Sequence, residues 1–553
     1  MSVPNAAIFF EPDGYVIDRP KLMGRHSAGH GFLRAAVAGL RGQTLYAYTP
    51  RRSSADAFGK LVAAIDPEAQ CKWVGGDRVD LLGEIGTLYL PGPNLPEAAR
   101  LRLRAGAGAY SIVGVTHTTA THRATDSLVD MVTAPVMPWD ALICTSPAVK
   151  SHVATLLEAE VDYLSWRLGV RPEALPQLPV IPLGVHCEDF ALSAAERDAA
   201  RRALGLADGE VVALFVGRLS FHAKAHPHAM YVGLESAARQ TGKKTVLLQC
   251  GWFGTEAIEK AFRDGARQFC PSVRALFTDG RDAEQRRRSW AVADLFISLS
   301  DNIQETFGLT PIEAMAAGLP VVVTDWDGYK ETVASGLDGY RIRTFMPGPG
   351  FGDLLGRAYE AGGHNYDFYT GLACQLVSLD LEQLKQRLAE LVADPAMRRR
   401  MGAAGREHAR AEFDWSVIFK RYLDLWAHLA EVRARAARDA TWARRLAGAP
   451  RCSPGRLDPF RVFSAYPTHR VGPQTRVLWH DAAPVYKELA AHPLFVFAGQ
   501  ILPRADVVER LGKAAASGTR TVQELATEAG LEVGSAVRAV AILAKMGLVR
   551  LGA

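Results

Sequence analysis

The sequence lacks the features that would place it in a membrane or a secretory pathway. No apolar run approaches the roughly 20 residues that a membrane helix needs. The first residues, MSVPNAAIFFEPDG, lack the basic and long apolar regions of a signal peptide. The seven cysteines are scattered without a CxxC pair or metal-ligand spacing, a pattern typical of reduced thiols. We therefore expect a soluble, cytoplasmic protein with no transmembrane segment.

The net charge of this chain is also small. The formal net charge is +5 over 553 residues, and 22% of the residues are charged. An imbalance this small does not by itself indicate a nucleic-acid or membrane partner. The hydrophobic fraction of 48% is ordinary for a soluble globular protein, and the length predicts two or three domains.

Short apolar runs alternate with helical patterns through most of the sequence. The first series is AIFF (7–10), TLYAYT (44–49), SIVGVTH (111–117) and ALICTS (141–146). After the Pro-punctuated PQLPVIPLGV, a second series follows: VVALFVG (211–217), KTVLLQC (244–250), RALFT (274–278), LFISLS (295–300) and PVVVTD (320–325). Apolar strands separated by helices predict parallel sheets. We expect two doubly wound domains, residues 1–178 and 179–412, with the ligand in the cleft between them.

The remainder of the chain divides into three predicted parts. Residues 413–446 are predicted to form a long helical stretch that is basic towards its end. We favour a solvent-exposed basic face over one that contacts lipid headgroups. Residues 447–500 are rich in Pro, Gly and Arg and are interpreted as a linker. Residues 501–553 give a helix, a turn at Gly530 and a second helix, which predicts a helix-turn-helix or winged-helix-like module. Because its second helix offers only Arg538 and Lys545, we favour dimerisation or peptide contact over DNA binding.

Two glutamates stand eight positions apart in SLSDNIQETFGLTPIEAMAAGLPVVVTDWDG (298–328). The strand LFISLS should deliver Glu305 to the carboxyl edge of the sheet, facing the cleft. Thr310 is predicted as a helix N-cap and Glu313 as the partner that reaches back to it, a capping box with Pro311 at the first helical position. That would explain Glu313 without a ligand, but it leaves Glu305 unexplained. The helix start should attract an anion such as phosphate.

A second anion site is predicted in FVGRLSFHAKAHP (215–227). Arg218 ends a strand, Lys224 lies in the following loop, and Pro227 opens the next helix. Cations of this kind are more often solvated or paired with carboxylates. In combination with the two glutamates at a neighbouring strand end, they favour a site that holds a diphosphate and neutralises its charge.

Over roughly residues 1–430, these motifs in this order resemble the family-four retaining glycosyltransferases of GT-B fold. GRLSFHAK resembles the family's Gly-Arg-Leu…Lys loop, with Lys224 one position later than usual, and QETFGLTPIEAMAAGLPVV carries its E-x7-E segment. VIPLGVHCEDF resembles the interdomain linker motif, with Leu183 and His186 replacing the usual Asn and Asp. FDWSVIFKRY resembles the final helix that crosses back to the first domain.

The resemblance implies a role for each matching position. Arg218 and Lys224 would hold the donor diphosphate, Glu305 would face the transferred sugar, and Glu313 would accept hydrogen bonds from ribose hydroxyls. His117, after the strand SIVGVTH, matches the first-domain histidine near the sugar, although a lone strand-end histidine is as often structural. The remaining donor-binding positions supply backbone N–H groups or a hydroxyl: Thr306, Phe307, Gly308, Leu309 and Thr310.

A Gly-rich segment, GRHSAGHGF (24–32), is predicted as a loop with Ser27 as a helix N-cap. Its spacing is not GxGxxG, so a dinucleotide fingerprint is rejected. In the family the corresponding loop lies beside the diphosphate and the acceptor, which implies site roles for Gly24, Ser27, Gly29 and His30. Asp325 and Asp327 are interpreted as turn residues, not metal ligands, because enzymes of this fold need no metal for catalysis.

The resemblance therefore implies a metal-independent retaining glycosyltransferase without a cofactor. Its donor would be a nucleotide-diphosphate sugar, with a UDP-sugar favoured over GDP- and ADP-sugars, and its acceptor is not identified. Two alternatives remain open. One is a sugar-nucleotide-binding regulator whose C-terminal helix-turn-helix contacts DNA or protein, and the other is a phosphorylase of the same fold.

Overall fold

The protein is described by a computed structural model that covers residues 4–17, 24–172, 174–480, 483–516 and 518–552. The chain forms two compact units, residues 1–453 and 454–553. Within the described ranges, no helix is both long enough and apolar enough to cross a bilayer.

The first domain is a parallel six-stranded sheet in the order β3-β2-β1-β4-β5-β6. Ala7 and Ile112 lie in one buried apolar cluster, whereas Ile8 and Val113 lie in another, so the sheet is buried on both faces. The strands are β1 (Ala7–Phe9), β2 (Leu45–Tyr48), β3 (Cys71–Val74), β4 (Thr87–Tyr89), β5 (Ser111–Val115) and β6 (Ala141–Ile143). The helices are α1 (Gly24–Gly39), α2 (Arg52–Ile65), α3 (Val79–Ile85), α4 (Leu95–Arg102), α5 (His122–Asp130) and α6 (Pro147–Leu168).

The four predicted apolar runs of this domain are confirmed as β1, β2, β5 and β6. The sequence analysis missed β3 and β4. β3 is an edge strand in which Cys71, Lys72 and Trp73 are exposed, so it does not present an apolar run. β4 contains only three residues, too few to show a period.

A buried ion pair fastens α4 to the sheet. Arg102 donates to both carboxylate oxygens of Asp140, at 2.6 and 2.8 Å, and both side chains are fully buried. The same carboxylate accepts the backbone N–H groups of Ile112 and Met137, each at 2.8 Å. Both oxygens of the Asp140 carboxylate and both terminal nitrogens of Arg102 are therefore hydrogen-bonded, which makes the ion pair tolerable inside a core, whereas the buried Arg102 Nε has no hydrogen-bond partner among the described residues.

The second domain repeats the same plan in the order β12-β11-β10-β7-β8-β9, again parallel. A separate antiparallel pair, β13 and β14, flanks a helical insertion. The strands are β7 (Val211–Val216), β8 (Thr245–Gly251), β9 (Arg274–Asp279), β10 (Leu295–Ser298), β11 (Val321–Thr324), β12 (Gly339–Ile342), β13 (Thr344–Phe345) and β14 (Ser378–Leu379). The helices are α7 (Ala194–Ala203), α8 (His228–Thr241), α9 (Glu256–Phe269), α10 (Ala283–Val292), α11 (Leu309–Ala316), α12 (Tyr329–Thr332), α13 (Asp353–Glu360), α14 (Tyr366–Gln375), α15 (Leu381–Ala393) and α16 (Pro395–His408). The five predicted runs are confirmed as β7 to β11.

The next helix, α17 (Trp415–Arg438), returns to the first domain as predicted and is followed by α18 (Ala440–Ala447). Its aromatic residues Trp415, Phe419 and Tyr422 pack around Phe32 of α1, with ring centroids 5.4 to 6.2 Å apart. Gly31 allows this approach, since a Cβ there would lie 2.5 Å from the Trp415 Nε1 atom. A helix from the C-terminal part of the first unit therefore packs on its N-terminal domain.

The second unit has a three-stranded antiparallel sheet in the order β16-β15-β17. Its strands are β15 (Arg476–Trp479), β16 (Arg520–Thr521) and β17 (Val549–Gly552), and its helices are α19 (Pro459–Val462), α20 (Ala483–Ala491), α21 (Pro493–Val496), α22 (Ala505–Ala514), α23 (Val522–Glu528) and α24 (Val533–Lys545). The turn between α23 and α24 contains Gly530 at φ +61°, as predicted.

The interpretation of residues 447–500 as a linker is wrong for most of that range. Val477 of β15 and Tyr486 of α20 are buried in the same core as Leu525 and Val540. The prediction failed because the Pro, Gly and Arg residues of this range hide one short strand, β15, and three short helices, α19, α20 and α21. The compact unit thus begins at Pro454, whereas its winged-helix character stays a prediction.

Candidate active site

A cavity of about 630 Å³ lies between the two domains of the first unit, at the carboxyl ends of their strands. It is the place where this kind of fold binds ligands. All but one of the predicted site residues line it, and they come from both domains: Gly24, Ser27, His30, His117, Arg218, Lys224, Glu305, Thr306, Phe307, Gly308, Leu309, Thr310 and Glu313.

Lys224 and Glu305, which both line this cavity, form an ion pair. The Lys224 ammonium donates to a Glu305 carboxylate oxygen, and the two side chains are 21% and 13% exposed. Burial opposes both charges, but each group stabilises the other. The pKa of Lys224 is therefore raised, and that of Glu305 is lowered with help from the backbone N–H groups of Phe307 and Thr306. Both groups are charged at neutral pH.

Arg218 is the second cation of the site. Burial lowers the pKa of its guanidinium, and its Nη2 donates to the Ala223 carbonyl oxygen at 2.7 Å. The loop from Arg218 to Lys224 is fixed from the neighbouring loop after β10. Asn302 Nδ2 donates to the His222 carbonyl oxygen at 2.7 Å, and the Gln304 amide donates to that of Ala223.

The sequence analysis missed Asn302 and Gln304. They lie between a predicted strand (295–300) and Glu305, and this position could have identified them as candidate site residues. Both side chains line the cavity, so they can contact a ligand while holding the adjacent loop.

The predicted capping box at Thr310 and Glu313 is wrong. α11 begins at Leu309, with Gly308 as its N-cap at φ +85° and no side-chain cap. Thr310 therefore lies inside the first turn, and its hydroxyl is buried without a hydrogen-bond partner among the described residues. Gly308 must be glycine, since a Cβ there would lie 1.9 Å from the Tyr329 ring.

Glu313 is free to face the cavity because it has no capping role. Burial raises the pKa of its carboxyl to about 7, against the opposing influence of Arg286 and Lys224. A carboxyl that titrates near neutral pH inside a cleft is a typical functional-site group. The free N–H groups at the start of α11 face the same cavity and favour an anion there.

His117 follows β5 and joins the first domain to the second. Its backbone carbonyl accepts the Thr306 hydroxyl at 3.0 Å, and Thr145 at the end of β6 donates to the Thr306 carbonyl oxygen, also at 3.0 Å. Burial, reinforced by Arg25, lowers the pKa of His117 to about 4. Its imidazole is therefore neutral at neutral pH and can exchange hydrogen bonds with hydroxyl groups.

The predicted loop over residues 24–32 is a helix instead. α1 starts at Gly24, so Ser27 lies within the helix and is not its N-cap. Gly29 is the one predicted residue outside the cavity lining. A Cβ there would lie 2.1 Å from the Gly14 carbonyl oxygen, so this glycine serves close packing. Burial and the nearby Arg34 lower the pKa of His30.

Asp325 and Asp327 lie at a turn after β11, as interpreted from the sequence. Asp327 has a φ of +42° and accepts the Ser146 hydroxyl at 2.8 Å from the first domain. Burial raises the pKa of its carboxyl to about 7. In the described part of the chain, no cluster of three or more His, Cys, Asp or Glu side chains could hold a metal ion.

The cavity lining carries more positive than negative groups. Seven cationic side chains face three acidic ones, Asp189, Glu305 and Glu313. Three of the cations, Arg281, Arg286 and Arg287, lie on α10 or just before it. The sequence analysis missed these arginines as site residues. Their surplus charge suits a ligand that carries more than one negative charge.

Comparisons with known proteins agree with this geometry. Residues 196–345 match the family model for glycosyl transferases group 1. The alpha-maltose-1-phosphate synthase of Mycobacterium tuberculosis is 28% identical over 264 residues, which is 47% of this chain and 59% of that protein. The D-inositol 3-phosphate glycosyltransferase of Geodermatophilus obscurus is 34% identical over 173 residues, 30% of this chain and 36% of that protein.

A solved structure shares the arrangement of the two domains. The crystal structure of Anabaena HepE in complex with UDP aligns with a TM-score of 0.50 and 17% identity, over 76% of this chain and 100% of that one. The chain spans less than two thirds of the length of the curated relatives described above. Together, the match of residues 196–345 makes this part of the chain similar to the glycosyl transferases group 1 family, and the two parallel sheets show the GT-B fold.

Proposed function

We propose that the chain is a retaining, metal-independent glycosyltransferase that moves a sugar from a nucleotide-diphosphate donor to an acceptor hydroxyl. The observation that carries this proposal is the buried Lys224–Glu305 pair, which lies beside Arg218 and the start of α11 in one cationic cavity. A diphosphate needs cations and helix N–H groups, and a sugar needs carboxylate acceptors. The cavity offers both within one lining.

Each charged group has a role that its environment supports. Arg218 and Lys224 bind the diphosphate and stabilise the charge that develops on it as the donor breaks, as the donors of an oxyanion hole do. Glu305, kept ionised by Lys224, accepts hydrogen bonds from the transferred sugar. Glu313 accepts hydrogen bonds from the ribose, and neutral His117 contacts a sugar hydroxyl.

The reaction that we propose retains the configuration at the anomeric carbon. The bond from that carbon to the diphosphate oxygen breaks, and the acceptor oxygen forms its bond on the same face. The acceptor proton passes to the departing diphosphate, so Glu305 is not needed as a base. Phe307, Gly308 and Leu309 also line the cavity, and in the proposed complex the backbone N–H groups of Gly308 and Leu309 contact the sugar and the phosphate.

The experiment is a nucleotide-release assay on UDP-, GDP- and ADP-sugars, with and without EDTA. UDP-sugars come first, because the Anabaena HepE structure is in complex with UDP. We expect slow hydrolysis of one donor by the wild type, unaffected by EDTA and lost in Glu305→Gln and Lys224→Met. Glu158→Gln, on an exposed position of α6, is the matched control. Absence of both binding and release for every donor contradicts the proposal.

For the second unit we infer a contact with a second copy of this chain, in preference to DNA binding. Leu494, Phe497 and Ile501, spaced three and four residues apart in α21 and the turn after it, are 78%, 94% and 60% exposed. Residues 489–503 contain no Asp, Glu, Lys or Arg. A two-fold contact sets one surface against its own copy, so a charge-free apolar surface avoids like-charge repulsion.

This inference is tested by the mass of the full chain in solution. We expect light scattering after size exclusion to give a dimer for the wild type and a monomer for Phe497→Asp. Phe351→Asp changes an equally exposed aromatic residue in the first unit, and it should leave the dimer intact. A monomeric wild type contradicts the inference.

A further inference from the structure

The helical insertion α13–α14 contacts both domains of the first unit, and the proposed reaction assigns it no role. Tyr359 of α13 stacks on His122 at the start of α5, with ring centroids 3.7 Å apart and planes 23° apart. The Tyr359 hydroxyl also accepts the His122 backbone N–H at 3.1 Å. Tyr369 of α14 stacks on Tyr359 at 4.3 Å, with nearly parallel rings. An aromatic stack therefore joins the insertion to the first domain, five residues beyond His117.

At its other end, the insertion reaches the candidate donor site through one hydrogen-bonded chain. The Tyr366 hydroxyl donates to Gln304 Oε1 at 2.7 Å. The Gln304 amide nitrogen donates to the Ala223 carbonyl oxygen, which also accepts Arg218 Nη2 at 2.7 Å. The Tyr366 hydroxyl and the Ala223 carbonyl fix the orientation of the amide, since a flipped amide would set two oxygens against each other.

α14 also lies directly on the loop that carries the two cations. A Cβ on Gly371 would lie 3.0 Å from the His222 Cβ, and the Cys374 thiol is 3.6 Å from the Phe221 carbonyl oxygen. The backbone between Arg218 and Lys224 is thus held by α14 on one side and by Asn302 and Gln304 on another.

We propose that Tyr366 is a positioning residue for the diphosphate-binding loop and that it acts through Gln304. The stack of Tyr359 on His122 links this positioning to the approach of the two domains. Electrostatic stabilisation of a leaving diphosphate depends on cations held at fixed positions, so a loosened loop loses transition-state stabilisation first. This inference rests on the proposed glycosyl transfer.

The test compares UDP with uridine, which lacks the diphosphate, by calorimetry on the full chain. Tyr366→Phe removes one hydroxyl and keeps the ring. We expect its Kd for UDP to rise by about tenfold, while its Kd for uridine stays within about twofold. In nucleotide release from the UDP-sugar that the wild type hydrolyses, kcat should fall more than KM rises. Tyr163→Phe, on a half-exposed tyrosine of α6, is the matched control.

A second variant keeps the test decisive if Tyr366→Phe folds poorly. Gln304→Met breaks the same chain without touching α14, and it should show the same selective loss of UDP affinity. Wild-type affinity and kcat in both variants overturn the inference. An equal loss of UDP and uridine binding together with a lower thermal transition identifies a merely structural role, which also overturns it. Failure of the wild type to bind UDP, GDP or ADP overturns the proposed function, and this inference with it.

Discussion

Replacing Glu313 by glutamine should change how the stability of the first unit depends on pH. Burial raises the pKa of this carboxyl from 4.5 to about 7, so the folded chain keeps a proton there that the unfolded chain has lost. Between these two values the folded state binds more protons, and stability falls as the pH rises. Glutamine resembles the neutral acid and does not titrate.

The size of the effect follows from the pKa change. At about 1.4 kcal/mol per tenfold change in proton affinity, full ionisation of Glu313 costs at most about 3.5 kcal/mol. Solvent screening of this partly exposed carboxyl reduces the expected value to roughly 1–3 kcal/mol. The stability of Glu313→Gln relative to the wild type should therefore be lowest at pH 5, near the lower of the two pKa values, and should increase by most of that amount by pH 8.5.

Urea unfolding of both proteins at pH 5, 7 and 8.5 measures this difference. Asp301 and Asp327, whose pKa values burial raises to about 6 and about 7, titrate in both proteins and cancel in the comparison. Glu158→Gln is the control with an exposed carboxylate. A difference between Glu313→Gln and the wild type that is constant across pH would refute the reasoning. Uridine affinity should rise from pH 6 to pH 8 in the wild type and stay flat in the variant, because the charged carboxylate is the better ribose acceptor and uridine, unlike UDP, carries no phosphate that titrates in this range.

Three further substitutions test the packing around the site. Lys224→Met leaves Glu305 charged and unpaired, which should lower the free energy of unfolding by roughly 3 kcal/mol. The double variant Lys224→Met/Glu305→Gln should recover part of this loss. If the effects of the two substitutions on the free energy of unfolding simply add, the two side chains are not coupled and the prediction is contradicted. Gly308→Ala places a methyl group against the Tyr329 ring at a residue with positive φ, so unfolding measurements should show a loss of about 1–3 kcal/mol in stability. Wild-type stability would show that the backbone at the start of α11 can relax. Arg102→Met leaves the buried Asp140 carboxylate without its cation and should lower the free energy of unfolding by about 3–5 kcal/mol. Calorimetry should show an unchanged affinity for UDP. A marked change in that affinity would mean that the Arg102–Asp140 pair contributes to the ligand site.

The parallel sheets could be predicted because their central strands are continuous apolar runs. β7 and β8 are buried at every residue, so each of these runs, rich in Val and Leu, directly predicts a strand. β3 could not be found this way, since an edge strand needs only one buried face. The short strand β15 was hidden for a different reason, because its partners lie more than 40 residues away in sequence.

The sequence could predict those residues of the candidate site that come directly after predicted strands. Glu305 and Arg218 follow β10 and β7, which are neighbours in the sheet, so a parallel sheet brings them together. The capping box at Thr310 failed because Gly308 turns the chain two residues earlier, a conformation that the pattern of side chains does not reveal. The stack of Tyr359 on His122 joins residues 237 apart in sequence, and no local pattern predicts such a contact.

The return of α17 to the first domain also has a consequence for synthesis on the ribosome. The strands of the first sheet are complete at Ile143, but the buried face of α17, whose aromatic residues cover Phe32, extends to Leu429. At roughly 5–20 residues per second, the chain needs on the order of 15–60 s to add the intervening segment. During that time the nascent first domain exposes an apolar groove that its own later helix will fill, which is the kind of surface that chaperones bind.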